Sequence, residues 1–270
     1  MPEVTLSDGG TLHYEDHGSG EPVVFLNGIM MATRTWVDHV ALLQRHVRVV
    51  LVDFRDQGRS SRLEAGYDLT RHAADLEAFL DGLGLARAHV VGLSYGGEVA
   101  LLHALEHPER YRSLTLANVP LQTSKYLAAV GRAWETAADL HDGEKFFRLG
   151  IPYVYSSHFY EREQAWLDSR EALFGKVLTP EYFEALIRLS RAAADFEVTP
   201  AQLRALDVPT LVLGADEDHI VPLRDLDVYY DNLPDVEMMV LRRAGHGAFY
   251  ERKEELCTAV LGFVRKHGGA

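Results

Sequence analysis

The feature that most constrains this chain is a series of short β-rich runs, several of them apolar without interruption, that alternate with segments of helical spacing. The runs are Val4 to Leu6, His13 to Asp16, Val23 to Leu26, Val47 to Val52, Ala88 to Leu93, Ser113 to Ala117, Thr210 to Leu213 and Val236 to Leu241. A strand apolar at every position needs cover on both faces, which parallel sheets receive from flanking helices. The helical spacing follows: Leu69 to Leu83 puts Leu69, Ala73, Leu76, Phe79, Leu80 and Leu83 on one face, and Gly96 to Glu106 stops before Pro108. Leu223 to Leu233 and Lys253 to Lys266 add two more. Asp8-Gly9-Gly10 makes the first two runs an antiparallel edge hairpin. The expectation is an α/β fold, a mostly parallel eight-stranded sheet with helices on both faces.

One connection breaks the alternation. Ala117 to Thr210 holds no convincing parallel strand, although a crossover needs only about a dozen residues. Helical patterns fill it at Ser124 to Leu140, Asp142 to Leu149, Arg162 to Phe174 and Pro180 to Phe196. The chain therefore divides into a core from 1–119 and 201–270, and an inserted helical cap from 120–200. A lid over the sheet edge is where a substrate pocket would be walled.

The sharpest local signal is His89-Val90-Val91-Gly92-Leu93-Ser94-Tyr95-Gly96-Gly97-Glu98-Val99-Ala100. Gly-x-Ser-x-Gly by itself is common. Here a buried strand runs into it and a helix runs out, so Ser94 sits on a tight turn with a helix N-terminus behind it. Side chains at Gly92 and Gly96 would crowd that turn. Ser94 is the candidate nucleophile, and a serine hydroxyl needs a base oriented by a third group. His246, in Arg243-Ala244-Gly245-His246-Gly247, follows the last strand and lies at the sheet's carboxyl edge. His219, beside Asp218, is the only rival. For the third group, Thr210 to Leu213 opens into Gly214-Ala215-Asp216-Glu217-Asp218, and composition leaves Asp216 and Asp218 both open, with Glu217 nearby.

These motifs resemble the α/β-hydrolase superfamily in its capped, esterase-like branch, and the resemblance spans essentially the whole chain. In that family the acid commonly lies four residues before a proline. Asp218 before Pro222 matches and Asp216 does not. The alternative acid position after the sixth strand holds Asn118. The resemblance implies an oxyanion hole formed by the backbone N–H groups of Ile29 and Tyr95, with Asn27-Gly28 in place of the family's His-Gly. Asp53-Phe54-Arg55-Asp56-Gln57-Gly58-Arg59-Ser60 resembles the family's Asp-x-Arg-x-x-Gly-x-Ser turn and reads as scaffold.

The implied chemistry is acyl transfer to Ser94, with no metal and no organic cofactor. The implied substrate is a small molecule, a carboxylic ester with a small to medium apolar acyl or aryl group. Lactones, thioesters, dienoic diketones and perhydrolysis are alternatives, and a non-catalytic receptor is a weaker one. Met30, Met31, Trp134, Phe147, Tyr155 and Phe159 are the candidate pocket residues.

Charge excludes other roles. Asp plus Glu number 40 against 27 Lys plus Arg, a net charge of -13 that repels polyanions, and no basic patch suggests nucleic-acid binding. That field also favours neutral esters over strongly anionic ones. Cys257, the single cysteine, reads as a buried thiol and leaves no cysteine metal cluster. No apolar run is long enough for a membrane span, and the N-terminus lacks a signal pattern, so a cytoplasmic location is expected. Monomer and homodimer are equally compatible with the sequence.

Overall fold

The computed structural model describes residues 2–64 and 66–269. Eight strands form one sheet: β1 (Glu3–Thr5), β2 (Thr11–His17), β3 (Pro22–Leu26), β4 (Arg48–Val52), β5 (Ala88–Leu93), β6 (Tyr111–Ala117), β7 (Thr210–Ala215) and β8 (Val236–Leu241). Their spatial order is β1-β2-β4-β3-β5-β6-β7-β8. β2 is antiparallel to β1 and β4, and every later pairing is parallel.

Helices cover both faces because the central strands are apolar at odd and even positions alike. Val24 and Leu26 of β3 and Val90 of β5 point to a layer containing α2 (Leu69–Gly82) and α3 (Tyr95–Glu106). Val23, Phe25 and Val91 point oppositely, to α1 (Val37–Leu43) and α12 (Lys253–His267), a helix the chain reaches through the short α11 (Ala248–Glu251). Cys257 is buried in this second layer, where burial pushes its thiol up to about 12.

Between β6 and β7 the chain inserts six helices: α4 (Lys125–Ala138), α5 (Gly143–Gly150), α6 (Ser157–Arg162), α7 (Gln164–Val177), α8 (Pro180–Ala192) and α9 (Pro200–Ala205). Side-chain caps fix several starts: Ser124, Asp142, Ser156, Thr179 and Thr199 each accept a backbone N–H from the first turn. The insertion leaves and re-enters through one stem, where Val198 N donates to Leu121 O at 2.8 Å and Thr123 N to Phe196 O at 2.8 Å. The helical spacing from Leu223 resolves into a 3-10 turn, Leu223–Leu226, and α10 (Asp227–Asn232). Sequence periodicity did not mark α1, α6 or α9, which are too short for a clear repeat. No helix among the described residues is long and apolar enough to cross a membrane.

Glu98 on α3 is an exception within this core: it is buried, Oε2 has no hydrogen-bond partner, and burial pushes its carboxyl from 4.5 up to about 8. The folded chain therefore keeps a proton that the unfolded chain releases above about pH 4.5, so stability falls as pH rises from there toward 8. Glu98→Gln should remove this dependence. Unfolding free energies from urea titrations at pH 5 and pH 8 should show the variant gaining on the parent by about a few kcal/mol at the higher pH. A pH-independent difference would mean that Glu98 titrates normally.

Candidate active site

The strand order brings five carboxyl ends side by side, and a site residue follows each: Gly28 and Ile29 after β3, Ser94 after β5, Asn118 after β6, Asp218 after β7 and His246 after β8. Backbone bonds continue the ladders into the loops, with Ser94 N to Ala117 O at 2.9 Å and Asn118 N to Leu213 O at 2.8 Å. The loop ends are thereby held almost as firmly as the sheet.

Ser94 has φ 49° and ψ -119°, a backbone state costly for a non-glycine residue. It persists because α3 packs directly on the strands. A Cβ on Gly92 would lie 2.5 Å from the Cα of Gly97, and one on Gly96 would lie 2.6 Å from Leu26 and Asn27 backbone atoms. The first N–H groups of α3, Tyr95 included, have no partner within the helix. The Tyr95 hydroxyl is anchored instead, 2.8 Å from His72 Nδ1. Burial depresses His72 to about 3, so that anchor stays a neutral imidazole.

His246 Nε2 is 2.9 Å from Ser94 Oγ, and His246 Nδ1 is 2.8 Å from Asp218 Oδ2. Asp218 accepts three further bonds: Ile220 N and Val221 N on Oδ1 at 2.7 and 2.8 Å, and Asn118 Nδ2 on Oδ2 at 2.6 Å. Ringed by donors, the carboxylate accepts from Nδ1–H and leaves Nε2 free to accept from the serine. Asp216 is elsewhere, paired with Arg242 Nε at 3.0 Å, and Glu217 bonds Ser157. His219 offers its backbone carbonyl to Tyr126 Oη at 2.7 Å.

Opposite Ser94, the Asn27 side chain is fully engaged. It donates to Val52 O and Asp53 Oδ1 at 3.0 and 3.1 Å and accepts from Trp36 Nε1 at 2.7 Å. Gln57 Nε2 donates to Gly28 O at 2.9 Å, which orients the loop bearing Ile29. The Asp53 to Ser60 turn is scaffold, with one addition: Asp56 reaches the cap. Arg188 of α8 forks its carboxylate at 3.0 and 2.6 Å, and Tyr67 Oη donates to it at 2.8 Å.

The cap closes over a cavity of about 560 Å3 with Ser94 and His246 in its wall. Met30, Met31, Trp134, Phe147 and Tyr155 line it. Phe159 does not. Ser156 caps α6 and turns Phe159 inward, one layer behind Tyr155, on which it stacks at 4.8 Å between ring centroids. Trp166, Phe174, Tyr182 and Tyr250 also line the cavity. The aromatic residues of this part of the chain were visible in the sequence, but which of them face inward depends on helix packing.

Sequence reasoning missed Glu251. Its Oε1 accepts Gly245 N at 3.0 Å and Ser156 N at 3.1 Å, and its Oε2 accepts Ser156 Oγ. Gly247 N donates to Val154 O at 2.7 Å. Both neighbours of His246 are thus pinned to the cap, and a Cβ on Gly245 would meet the backbone of Val154 to Ser156 at 2.7 to 2.8 Å. The missed signal was a carboxylate five residues after the histidine. Outside the site, Glu77, His103 and His107 could approach a metal ion, but Glu77 Oε2 already accepts from Arg110 Nε at 3.0 Å and lies 2.9 Å from His103 Nε2.

A doubly covered, mostly parallel sheet with a helical insertion after β6, and a serine on the turn after β5, defines the α/β hydrolases. Residues 21–253 match the family model of the alpha/beta hydrolase fold, and the chain belongs to that family. A putative carbamate hydrolase of Variovorax paradoxus is 33% identical, covering 94% of this chain and 96% of the relative. A non-heme haloperoxidase of Rhodococcus erythropolis is 32% identical over 83% of this chain and 84% of its own. An alpha/beta hydrolase enzyme from a Medee basin deep-sea metagenome library superposes with a TM-score of 0.93 at 30% identity, covering 97% of this chain and 96% of that one.

Replacing Glu251 by alanine leaves the N–H groups of Gly245 and Ser156 without their acceptor. The expected loss is about 1–3 kcal/mol in urea unfolding. Glu251→Gln, which keeps one acceptor oxygen, should lose less. Equal loss in the two variants would mean that shape rather than these bonds holds the loop.

Proposed function

We propose that the protein is a serine hydrolase that cleaves carboxylic esters with small to medium apolar acyl or aryl groups through an acyl-enzyme. The observation that carries this reading is the hydrogen-bonded series Ser94 Oγ, His246 Nε2, His246 Nδ1, Asp218 Oδ2, at 2.9 and 2.8 Å, opening into a cavity walled mainly by apolar side chains.

In this mechanism His246 Nε2 takes the Ser94 proton as Oγ attacks the ester carbonyl carbon. Asp218 holds the imidazole by Nδ1 and stabilises the imidazolium that forms. The backbone N–H groups of Ile29 and Tyr95 receive the negative oxygen, the latter helped by the positive end of α3. Collapse expels the alkoxide, which takes the proton from His246 Nε2 and leaves an acyl-serine. Water then surrenders a proton to His246, attacks the acyl carbon and releases the acid and Ser94. A serine at position 94 disfavours routes in which a carboxylate attacks carbon directly.

Acyl selectivity in such a cavity is broad, since one methylene in an apolar pocket is worth only about 1–3 kcal/mol. The name of one relative, a putative carbamate hydrolase, favours a second reading, a carbamate carbonyl attacked by the same serine.

Ser94→Ala should lower turnover of an aryl ester by at least ~10³-fold with the fold intact by circular dichroism, and should abolish labelling by an active-site serine reagent. Turnover near the parent level would end the nucleophile assignment. Within the acidic loop, Asp218→Asn should cost on the order of 10² to 10⁴ in kcat and Asp216→Asn less than about tenfold. The opposite ranking would make Asp216 the acid.

A further inference from the structure

The cavity is apolar inside, but its entrance is not neutral. Lining residues that are also exposed mark that entrance: Arg34, Val37 and Asp38 on one side, and Leu173 and Val177 of α7 on the other. Two guanidinium groups belong to the lining, Arg34 and Arg170. Arg170 is half-buried, its guanidinium carbon 4.9 Å from the centroid of the Trp166 ring. Trp166 in turn packs on Tyr250 at 4.7 Å and edge-on to Tyr155 at 5.4 Å. The positive charge of Arg170 is felt at Tyr155 and that of Arg34 at Tyr182, and both tyrosines line the same cavity.

Neither arginine is neutralised. Among the described residues Asp38 is the only carboxylate in the lining, and it accepts from Lys253 Nζ at 2.9 Å. Among the described residues, Arg34 and Arg170 pair with no carboxylate, in a chain where acids outnumber bases by 40 to 27. A cation resting on an aromatic face keeps the N–H groups at its edge free, and a guanidinium edge matches a carboxylate in two parallel hydrogen bonds. Low-dielectric walls concentrate the field of such charges at the mouth, whatever the sign of the distant surface.

We propose that this entrance is an anion subsite, and that the preferred substrates are carboxylic esters whose far end carries a carboxylate. The carboxylate is held by Arg34 and Arg170 while an apolar spacer runs along Trp166 and Tyr155 toward Ser94. The proposal rests on the hydrolase reading and narrows its substrate class. It also reverses the preference for neutral esters that the net charge of -13 suggested, because recognition depends on the charges in the lining rather than on the average field.

The test compares p-nitrophenyl monoesters of dicarboxylic acids, glutaric to suberic, with partners in which the free carboxyl is a primary amide. In the parent, kcat/KM for the acid should exceed that for the amide by about tenfold or more at the best spacer length. Arg34→Gln and Arg170→Gln should each lower that ratio about fivefold or more, through KM, and the double variant should bring it to about one or below. Arg170→Lys should fall between, keeping the charge but not the fork. A parent that prefers the amides, or a ratio unmoved in the double variant, overturns the subsite. Calorimetry of suberate binding to Ser94→Ala, with and without the two arginines, separates this from the hydrolase reading. Arginine-dependent binding without turnover of any ester leaves the subsite standing and removes the hydrolase, whereas ester turnover with arginine-independent suberate binding does the reverse.

Discussion

The close approach of α3 to the sheet is the constraint on which the rest of the site depends. Gly92, Gly96 and Gly97 leave no room for a Cβ against one another's backbone, the backbone of Leu26 and Asn27, or the Val119 side chain. That contact forces Ser94 into a strained turn at φ 49° and raises its hydroxyl above the sheet edge. It also aims the N-terminus of α3 at the region where, in the proposed reaction, charge would develop on a bound carbonyl. Any side chain at Gly96 would push the helix away and lose these together.

Around that fixed point the site is organised by polar bonds between loops rather than by packing alone. Asn118 and two backbone N–H groups hold Asp218, Gln57 holds the Gly28 carbonyl, and the Asn27–Asp53–Trp36 network fixes the turn beneath it. Buried polar groups of this kind are costly when unpaired and rigid when satisfied, so they set geometry more than they add stability. The same logic docks the cap. Asp56 with Arg188, Glu217 with Ser157 and Glu251 with Ser156 join core loops to the insertion at three points around the cavity.

The cap therefore contributes to the site in two ways. Its helices supply the aromatic wall, and its segment from Val154 to Ser157 braces the loops that carry His246 and Asp218. Closure of the cavity and alignment of the histidine are coupled through Glu251, whose carboxylate touches both sides. The entrance differs from the interior, since its lining holds two guanidinium groups that pair with no carboxylate among the described residues.

Much of this was legible in the linear chain. Continuous apolar runs separated by amphipathic ones specify a doubly covered sheet, because period and burial are local properties of sequence. The glycine-framed serine was equally local, and so was a histidine just past the last strand. The choice between Asp216 and Asp218 was not local in that sense: composition left both open, and Asp218 was favoured only by the family resemblance, through its spacing to Pro222. Two carboxylates two residues apart in a loop differ only in where the loop directs them, and that depends on Ile220, Val221 and Asn118 donating to one of them. Phe159 was indistinguishable from Tyr155 by composition, yet one backs the wall and the other forms it. Arg188 carried no signal, since its partner lies 132 residues away, and the one sign of Glu251 was its nearness to His246, because its cap partner Ser156 lies 95 residues away. Sequence alone determined the strands, the longer helices, and the glycine-framed serine and late histidine on which the proposed chemistry rests, because those follow from neighbours along the backbone. Only the tertiary structure decided which carboxylate faces the histidine, which aromatic groups enclose the cavity and which charges are left unpaired at its mouth, because those follow from contacts between segments that meet only when the sheet is assembled.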